Sequence, residues 1–233
     1  MAQSVGNAKN ILVGASPLFL TVEDSTVSGY VENSEPGNAV AGTSARNTKV
    51  PAYVSTESYV STLNALDTTA GVNGAAYRNV GYTNNGLQIT YNPTYDSVTV
   101  DQLLDTAKLF KSAMEVMIAT EMSEGTLQNV LVVFGQKTST LSGSTLGLEA
   151  GALGAAPTER QLIAVGQAPT TSSPYSERIY YARRVLSVQQ SQFSLARNTP
   201  TTFPVTFRLL PSGESAYVGS EYGKIIDRTW TPA

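Results

Sequence analysis

The sequence predicts a mainly β fold: an antiparallel β-sandwich or barrel with one α-helix and a long loop excursion. Stretches in which apolar and polar residues alternate recur from residue 76 to the C-terminus, with turn-forming residues between them. Twelve Tyr stand against one Trp, which is typical of strands and interfaces. Only one segment has a full helical pattern. No compositional break divides the 233 residues, so we expect one domain.

The N-terminus has a polar arm, residues 1–10, followed by an apolar run over residues 11–22. Gly14 and Pro17 interrupt that run and predict a bent strand or a strand pair. A signal peptide is the alternative interpretation. The strand fits better because only Lys9 precedes the apolar run and a proline breaks it.

Residues 24–74 are rich in turn formers and have no hydrophobic period, which predicts a long loop. Loops of this length inside a domain are usually functional or disordered. Within the loop, residues 53–66 are compatible with one or two helical turns. Ser55 would cap them, and Tyr59, Leu63 and Leu66 would share one face.

A strand is expected over residues 76–83, and the tripeptide Asn84-Asn85-Gly86 predicts a tight hairpin turn after it. In the next strand, alternation places three apolar side chains toward the core: Leu87, Ile89 and Tyr91. Pro93 is expected to end that strand. A further alternation covers residues 97–101.

A strand over residues 113–122 and a helix over about residues 123–135 follow. In the strand, Met114, Val116, Ile118 and Thr120 alternate with Glu115, Met117, Ala119 and Glu121. Ser123 is the predicted N-cap, Glu124 lies in the first helical turn, and Gly135 ends the helix. The expected apolar stripe consists of Leu127, Val130, Leu131 and Phe134. Residues 137–156 read as a loop, and four more strands are expected at 161–167, 178–188, 203–210 and 223–228.

Reactive side chains are scarce. The chain has no His and no Cys, which excludes Ser-His-Asp and Cys-His catalysis, His- or thiolate-bound metals and disulfides. The glycine-rich segment 147–156 lacks the lysine and the strand-helix setting of a phosphate loop. We therefore expect no enzyme, no cofactor and no metal. No apolar stretch is long enough for a membrane span.

Some acidic and aromatic residues have two interpretations. The pairs Asp101/Asp105 and Glu121/Glu124 have the composition of acid/base couples, but their positions suit strand ends and a helix start better. Glu32 and Glu35 lack the spacing of a calcium loop. A chain with net charge −3 is not expected to grip nucleic acid. Arg183-Arg184 reads as a solvated or intersubunit pair rather than a phosphate contact, and Tyr175, Tyr180 and Tyr181 as core or interface rather than a stacking platform.

Residues 77–135 resemble the major tail tube proteins of long-tailed, non-contractile bacteriophages. The resemblance is carried by an ordered series: Gly81-Tyr82-Thr83 before Asn-Gly, Tyr91-x-Pro93, Val98-x-Val100-Asp101-Gln102, Glu124-x-Thr126-Leu127-x-Asn129 and Gly135. The stretches NILVGASPLFL and YGKIIDR are similar too. Two positions depart from the family pattern, Tyr77 in place of tryptophan and Gly125 in place of alanine.

The resemblance implies a structural virion protein of the phage tail, made in the host cytoplasm. Such proteins form hexameric rings that stack helically into a tube, and the genome leaves through it. The implied partners are other copies of the chain, a tape measure protein inside the tube, and tail terminator and distal tail proteins. DNA passes the lumen without specific binding. The lumen candidates are Gln88, Thr90, Thr99, Asp101, Glu115 and Glu121.

Stacked rings also need a contact between rings, and the resemblance gives the loop at about 24–74 that role. The candidate residues are Tyr30, Glu32, Tyr53 and Tyr59. On this hypothesis, deleting residues 25–68 leaves a folded subunit that forms no tubes.

Three other functions remain open from the sequence. The chain could be another virion protein or a tube component of a contractile or secretion apparatus, since these share related folds. It could be a β-sandwich module that binds glycans, although its single Trp230 offers little aromatic surface. An enzyme is the third alternative.

Overall fold

A computed structural model of the chain describes most of the predicted strands, the predicted helix and a second helix within the segment 24–74. The described residues are 16–21, 53–68, 77–99, 106–137, 140–150, 153, 157–169, 175–188, 192–193, 195, 197–198, 200–212 and 217–232. The N-terminal arm, most of the segment 24–74 and the end of the predicted 97–101 alternation lie outside them.

Ten strands and two helices are present in the described part of the chain. The strands are β1 (Leu18–Thr21), β2 (Tyr77–Asn79), β3 (Thr83–Thr99), β4 (Thr106–Met122), β5 (Leu141–Ser142), β6 (Thr145–Leu146), β7 (Arg160–Gln167), β8 (Ser176–Ser187), β9 (Phe203–Leu209) and β10 (Gly223–Thr229). The helices are α1 (Tyr59–Thr68) and α2 (Leu127–Val133). The mainly β, antiparallel fold is confirmed.

Eight strands form a single sheet in the order β2-β1-β7-β8-β9-β4-β3, with β10 as an additional partner of β8. Strands β5 and β6 form a separate small hairpin inside the predicted 137–156 loop. The strand order does not show the two separate sheets of a sandwich among the described residues, so that part of the expectation stays a prediction. The barrel form is also absent there, because β2 and β3, at the two ends of the order, do not pair with each other.

The predicted hairpin turn at Asn84-Asn85-Gly86 is a bulge inside one long strand. Asn85 and Gly86 have φ angles of 60° and 66°, as expected for this tripeptide, but β3 continues through them beside β4. The Thr120 Oγ1 donates a hydrogen bond to the Gly86 carbonyl at 2.8 Å, which fixes the bulge. Pro93 does not end β3 either. Proline is tolerated on an edge strand, where a missing N–H leaves no ladder bond unmade.

A first core lies between the curved sheet and α2. It contains large apolar side chains from several strands together with the buried face of the helix: Leu18, Leu20, Val116, Ile118, Met122, Leu131, Val132, Leu162, Phe203, Val205 and Phe207. The alternation predicted for residues 113–122 is confirmed, since Val116, Ile118 and Thr120 are buried and their neighbours are not.

A second core lies on the opposite face of the same sheet, under α1. It joins residues of β1, β7 and β8 to the helix: Phe19, Tyr59, Leu63, Ile163, Val165, Ile179 and Tyr181. Strand β7 is therefore buried on both faces, which explains its continuous apolar run. The prediction of a single helix and of one long loop over 24–74 is corrected here, because α1 is a structural part of the subunit. It begins at Tyr59, after Ser58, rather than after Ser55.

Helix α2 is shorter than the predicted 123–135. Thr126, not Ser123, is the N-cap, and its side chain accepts a hydrogen bond from the Asn129 N–H at 3.2 Å. Gly135 ends the helix as predicted, with φ 63° and the Gln136 N–H bonded back to the Leu131 carbonyl. Glu124 lies before the helix and accepts a hydrogen bond from the Tyr82 N–H.

The apolar stripe predicted for α2 is partly wrong. Leu127 and Phe134 are exposed, whereas Val132 and Val133 are buried together with Leu131. With only seven residues, the helix buries consecutive positions of its last turn rather than a stripe along its whole length.

Candidate assembly surface

Strands β3, β4 and β9 present a broad polar face on the side away from the first core. Opposite residues of antiparallel strands share a face, so the register places ten residues together: Gln88, Thr90, Asn92, Glu115, Met117, Ala119, Glu121, Pro204, Thr206 and Arg208. We call this set the polar sheet face. Four of the six lumen candidates, Gln88, Thr90, Glu115 and Glu121, belong to it.

The charges on the polar sheet face are few and partly paired. The Arg208 Nε lies 3.8 Å from the Glu115 Oε1. The Asn84 Nδ2 donates to the Glu121 Oε2 at 3.3 Å. Hydroxyl and amide groups make up most of the remaining polar surface, so the face has no concentrated charge of either sign.

The other two lumen candidates lie elsewhere. Thr99 is the last residue of β3 and is exposed at the far end of the hairpin. Register shifts at Thr94/Tyr95 and Val98/Thr99 separate it from the polar sheet face. Asp101 is outside the described residues. The structure therefore does not bring these two together with the other four.

The far half of the β3–β4 hairpin has no core beneath it. We call residues 94–99 and 107–113 the distal ribbon, and every one of them is exposed. Its side chains include large apolar groups, among them Tyr95, 58% exposed, and Leu109, 65% exposed. A two-stranded ribbon exposed on both faces is marginally stable alone and gains stability from a partner.

An apolar groove of about 320 Å³ lies between the base of this hairpin and β10. It is lined by Ile89, Tyr91, Val116, Ile118, Tyr180, Tyr181, Ala182, Leu209, Tyr222, Gly223, Lys224 and Ile225. Sequence alternation predicted correctly that Ile89 and Tyr91 point away from the polar face. They are not buried as predicted, however, since Tyr91 is 66% exposed in the groove wall.

The two described inter-ring candidates belong to the subunit's own core. Tyr59 is fully buried, and Tyr53 packs against it with ring centroids 5.1 Å apart. The Arg228 guanidinium lies 4.9 Å from the Tyr53 ring centroid. Because the Tyr59 side chain is fully buried in its own subunit, it cannot contact a stacked hexamer. The predicted role of Tyr59 in the contact between hexamers is therefore corrected. Tyr30 and Glu32 lie outside the described residues.

A buried ion pair anchors α1 to the sheet. The Tyr59 N–H, at the first residue of the helix, donates a bifurcated hydrogen bond to both oxygens of the Glu177 carboxylate, at 2.9 and 3.1 Å. The Arg228 Nε lies 3.1 Å from the Glu177 Oε1. The Arg228 Nη2 also donates to the carbonyls of Val54 and Glu57. Burial raises the pKa of Glu177, and the Tyr59 N–H and Arg228 oppose that rise.

The arginine pair is engaged within the subunit, so neither guanidinium is simply solvated. Arg183 is fully buried, with its guanidinium 3.5 Å from the Tyr217 ring centroid and its Nε bonded to the Ser220 carbonyl. Arg184 forms two hydrogen bonds to the Glu159 carboxylate, at 2.7 and 2.8 Å.

The three tyrosines singled out in the sequence do not form one platform. Tyr181 is buried in the second core, Tyr180 lines the groove, and Tyr175 packs on Trp230 with ring centroids 4.8 Å apart. That contact half-buries Trp230.

The described residues contain no cluster suited to metal binding. Within this part of the chain, no group of three or more acidic side chains is placed to hold an ion. The Asp101/Asp105 pair and Glu32/Glu35 fall outside it. Neither described helix has the length and apolar character needed to cross a membrane.

Sequence reasoning missed the residues that hold the helices in place. Asn129 is fully buried, donates to the carbonyls of Val80 and Glu124, and accepts from the Arg78 Nη1 at 2.7 Å. Glu177 and Arg228 likewise hold α1 against the sheet, through the Tyr59 N–H and their own ion pair. The available signal for Glu177 was its alternation with Tyr175, Ile179 and Tyr181, which places an acidic side chain on an otherwise apolar strand face, where a buried charge requires a partner.

No protein-family model matches the chain, and no curated protein matches it significantly.

Proposed function

We propose that the chain is a structural subunit that assembles with copies of itself into the tail tube of a long-tailed, non-contractile bacteriophage. In this proposal hexameric rings stack helically, and the genome is delivered through their lumen. The tape measure, tail terminator and distal tail proteins are the other partners. The basis for the family is the ordered series of residues between 77 and 135. The structural support comes from the edge of β3 and from the polar sheet face, and it does not depend on that series.

The observation that carries the proposal is the free edge of β3. This strand has seventeen residues, has β4 as its single partner among the described strands, and has large apolar side chains beside its other edge. Natural proteins usually shorten, charge or cover such an edge, because it invites pairing with another chain. On β3, Pro93 and the bulge at Asn85-Gly86 give some protection of this kind, but only Asp96 is charged over the strand's whole length. Pairing with another copy turns this hazard into an interface.

The polar sheet face suits the wall of a channel for DNA. Lysine and arginine clusters bind phosphates by releasing counterions, and a lumen of that kind would hold the genome back. The polar sheet face has one arginine, which lies beside Glu115. Gln88, Thr90, Glu115 and Glu121 are accordingly the proposed lumen residues on this face.

Negative-stain electron microscopy of the purified chain over a range of concentrations tests the proposal. We expect hexameric rings or hollow tubes of constant diameter. Flat sheets or solid fibres would support edge pairing and contradict the tube. A species that stays monomeric at every concentration would contradict self-assembly itself.

A further inference from the structure

From the structure we infer that the distal ribbon of one copy seats in the apolar groove of the next copy, with the distal β3 edge beside β10. This inference rests on the proposed function, because it specifies the two surfaces through which the copies join. It makes the contact head-to-tail: each copy offers one ribbon and one groove.

The groove is bordered by strand edges that have no partner among the described residues. Strand β10 pairs with β8 along its whole length and with no other described strand. Strand β4 pairs with β9 only from Met117 onward. Before Met117, its one partner among the described strands is β3. An added strand beside β10 therefore finds backbone donors and acceptors as well as an apolar floor.

The side chains match on the correct face. Ile225 lines the groove and is 65% exposed. On the distal ribbon, Tyr95 pairs with Lys111 and Ser97 with Leu109, so Tyr95 and Leu109 share one face. If the sheet continues from β10 into the next copy's β3, that face lies over the groove. Tyr95 and Leu109 then cover Ile225 and Tyr91.

The charges of the two strands are complementary. The distal part of β3 has one charged residue, Asp96. On β10, Asp227 is bonded to Arg178 and Arg228 to Glu177, whereas Lys224 lines the groove. Placing the distal β3 strand beside β10 brings Asp96 to the strand that contains Lys224, whereas Lys108 and Lys111 of the ribbon lie on β4, one strand further from β10.

A copy cannot fill its own groove with its own ribbon. Ile89 and Tyr91, at the base of β3, form part of the groove wall, and the same strand continues into the ribbon. The pairing of β3 with β4 continues from this wall to Thr99, so the ribbon is an extension of the groove's own wall. The occupant is therefore a second copy, and repetition of a head-to-tail contact gives a ring or a filament.

A mixing experiment tests this pairing. Ile225→Asp disables the groove and keeps the ribbon, whereas Leu109→Asp disables the ribbon and keeps the groove. Both positions are well exposed in the subunit, so we expect the melting temperature of each variant to match that of the wild type. Leu148→Asp, at an exposed apolar position outside both surfaces, is the matched control and should assemble normally.

Each disabled variant alone should be monomeric by sedimentation velocity. Mixed in equal amounts, the two should form heterodimers and nothing larger, because one working ribbon and one working groove remain. If the wild type assembles but both variants still assemble alone, the inference is wrong and the proposed function stands. The same holds if the mixture stays monomeric, because an intact ribbon and an intact groove would then be present without joining. If Leu109→Asp alone assembles, another segment fills the groove. A wild type that never assembles overturns both.

Discussion

At the scale of single residues, two neighbouring ion pairs between β8 and β10 have opposite surroundings. Glu177 and Arg228 lie opposite each other and face α1, with side-chain exposures of 7% and 10%. Arg178 and Asp227, one register position away, face outward with exposures of 25% and 49%. A buried charge that loses its partner is costly, whereas an exposed pair contributes little because water screens it.

We expect Arg228→Ala to lower the free energy of unfolding by about 3–5 kcal/mol, because it leaves the Glu177 carboxylate buried without its counter-ion. Urea denaturation followed by circular dichroism measures this. Arg178→Ala is the matched control, with an expected loss of about 0–1 kcal/mol. Equal losses for the two variants would show that the Glu177–Arg228 pair is not buried as described.

The same two pairs predict opposite dependences on pH. The folded state raises the pKa of Glu177 above its ordinary 4.5, so it binds that proton more tightly than the unfolded chain. The contribution of Glu177 is therefore present below pH 4.5 and is lost as pH rises through the raised pKa. The hydrogen bond from Arg178 lowers the pKa of Asp227, whose contribution is lost as pH falls through that lowered pKa.

Urea midpoints measured across the acidic range test these signs. Glu177→Gln should make stability rise more steeply with pH just above pH 4.5, and Asp227→Asn should flatten the loss at lower pH. A wild-type profile unchanged by Glu177→Gln would contradict the raised pKa.

The Asn-Gly pattern predicted the backbone conformation of Asn85 and Gly86, but not their position inside a continuous strand. Asn-Gly predicts positive φ, and both residues have it. Whether such a pair closes a hairpin or makes a bulge depends on the partner strand, here β4, which is remote in sequence. The cap of α2 was misplaced for a related reason: Glu124 is held by the Tyr82 N–H, so the helix starts later, at Thr126.

At the scale of elements, α1 is a structural part of the subunit because it covers the second core. It covers Phe19, Ile163 and Ile179 on one face of the sheet, and these three side chains are fully buried. The expectation that residues 25–68 can be deleted without harm to the fold is therefore replaced by its opposite. Deletion would expose this second core to water.

Leu63→Ala tests the role of α1 without deleting it. We expect a loss of about 2–5 kcal/mol, because the fully buried side chain leaves a cavity under the helix. Val54→Ala, at an exposed position before the helix, is the control and should change stability by less than about 0.5 kcal/mol. A thermal melt unchanged by Leu63→Ala would contradict the docking of α1.

The bounds of β7, β8, β9 and β10 were predicted from sequence to within two residues, since turn residues delimit these strands. Two other elements were less predictable. The helical pattern of α1 is short, and the tertiary contact between Glu177 and Tyr59 stabilises its first turn. The length of β3 was hidden by Asn-Gly and Pro93, two signals that normally end strands. The polar face could be predicted by alternation, but the groove depends on how β10 and the hairpin are placed in space.

At the scale of the whole molecule, the structure separates folding from assembly. The two cores lie around α1 and α2, whereas the distal ribbon contributes to neither. Both the ribbon and the groove wall have exposed apolar side chains, among them Leu109 and Ile225, each 65% exposed. We therefore expect assembly to be removable without loss of the fold.

Replacing residues 95–111 by an Asn-Gly turn should leave a folded monomer. We expect a melting temperature within a few degrees of the wild type, because every described residue removed is exposed or lies at the hairpin end. Light scattering should show no growth at concentrations where the wild type assembles. Tubes formed by the shortened chain would show that the ribbon plays no part in assembly.

Amide hydrogen exchange along β3, compared between monomer and assembled protein, tests the central claim most directly. In an antiparallel pair, alternate residues point their N–H groups toward the partner strand and away from it. We predict that the outward N–H groups of β3 exchange rapidly in the monomer and become protected after assembly, while those bonded to β4 change little. Equally rapid exchange of the outward N–H groups in the assembled protein would contradict assembly through the β3 edge.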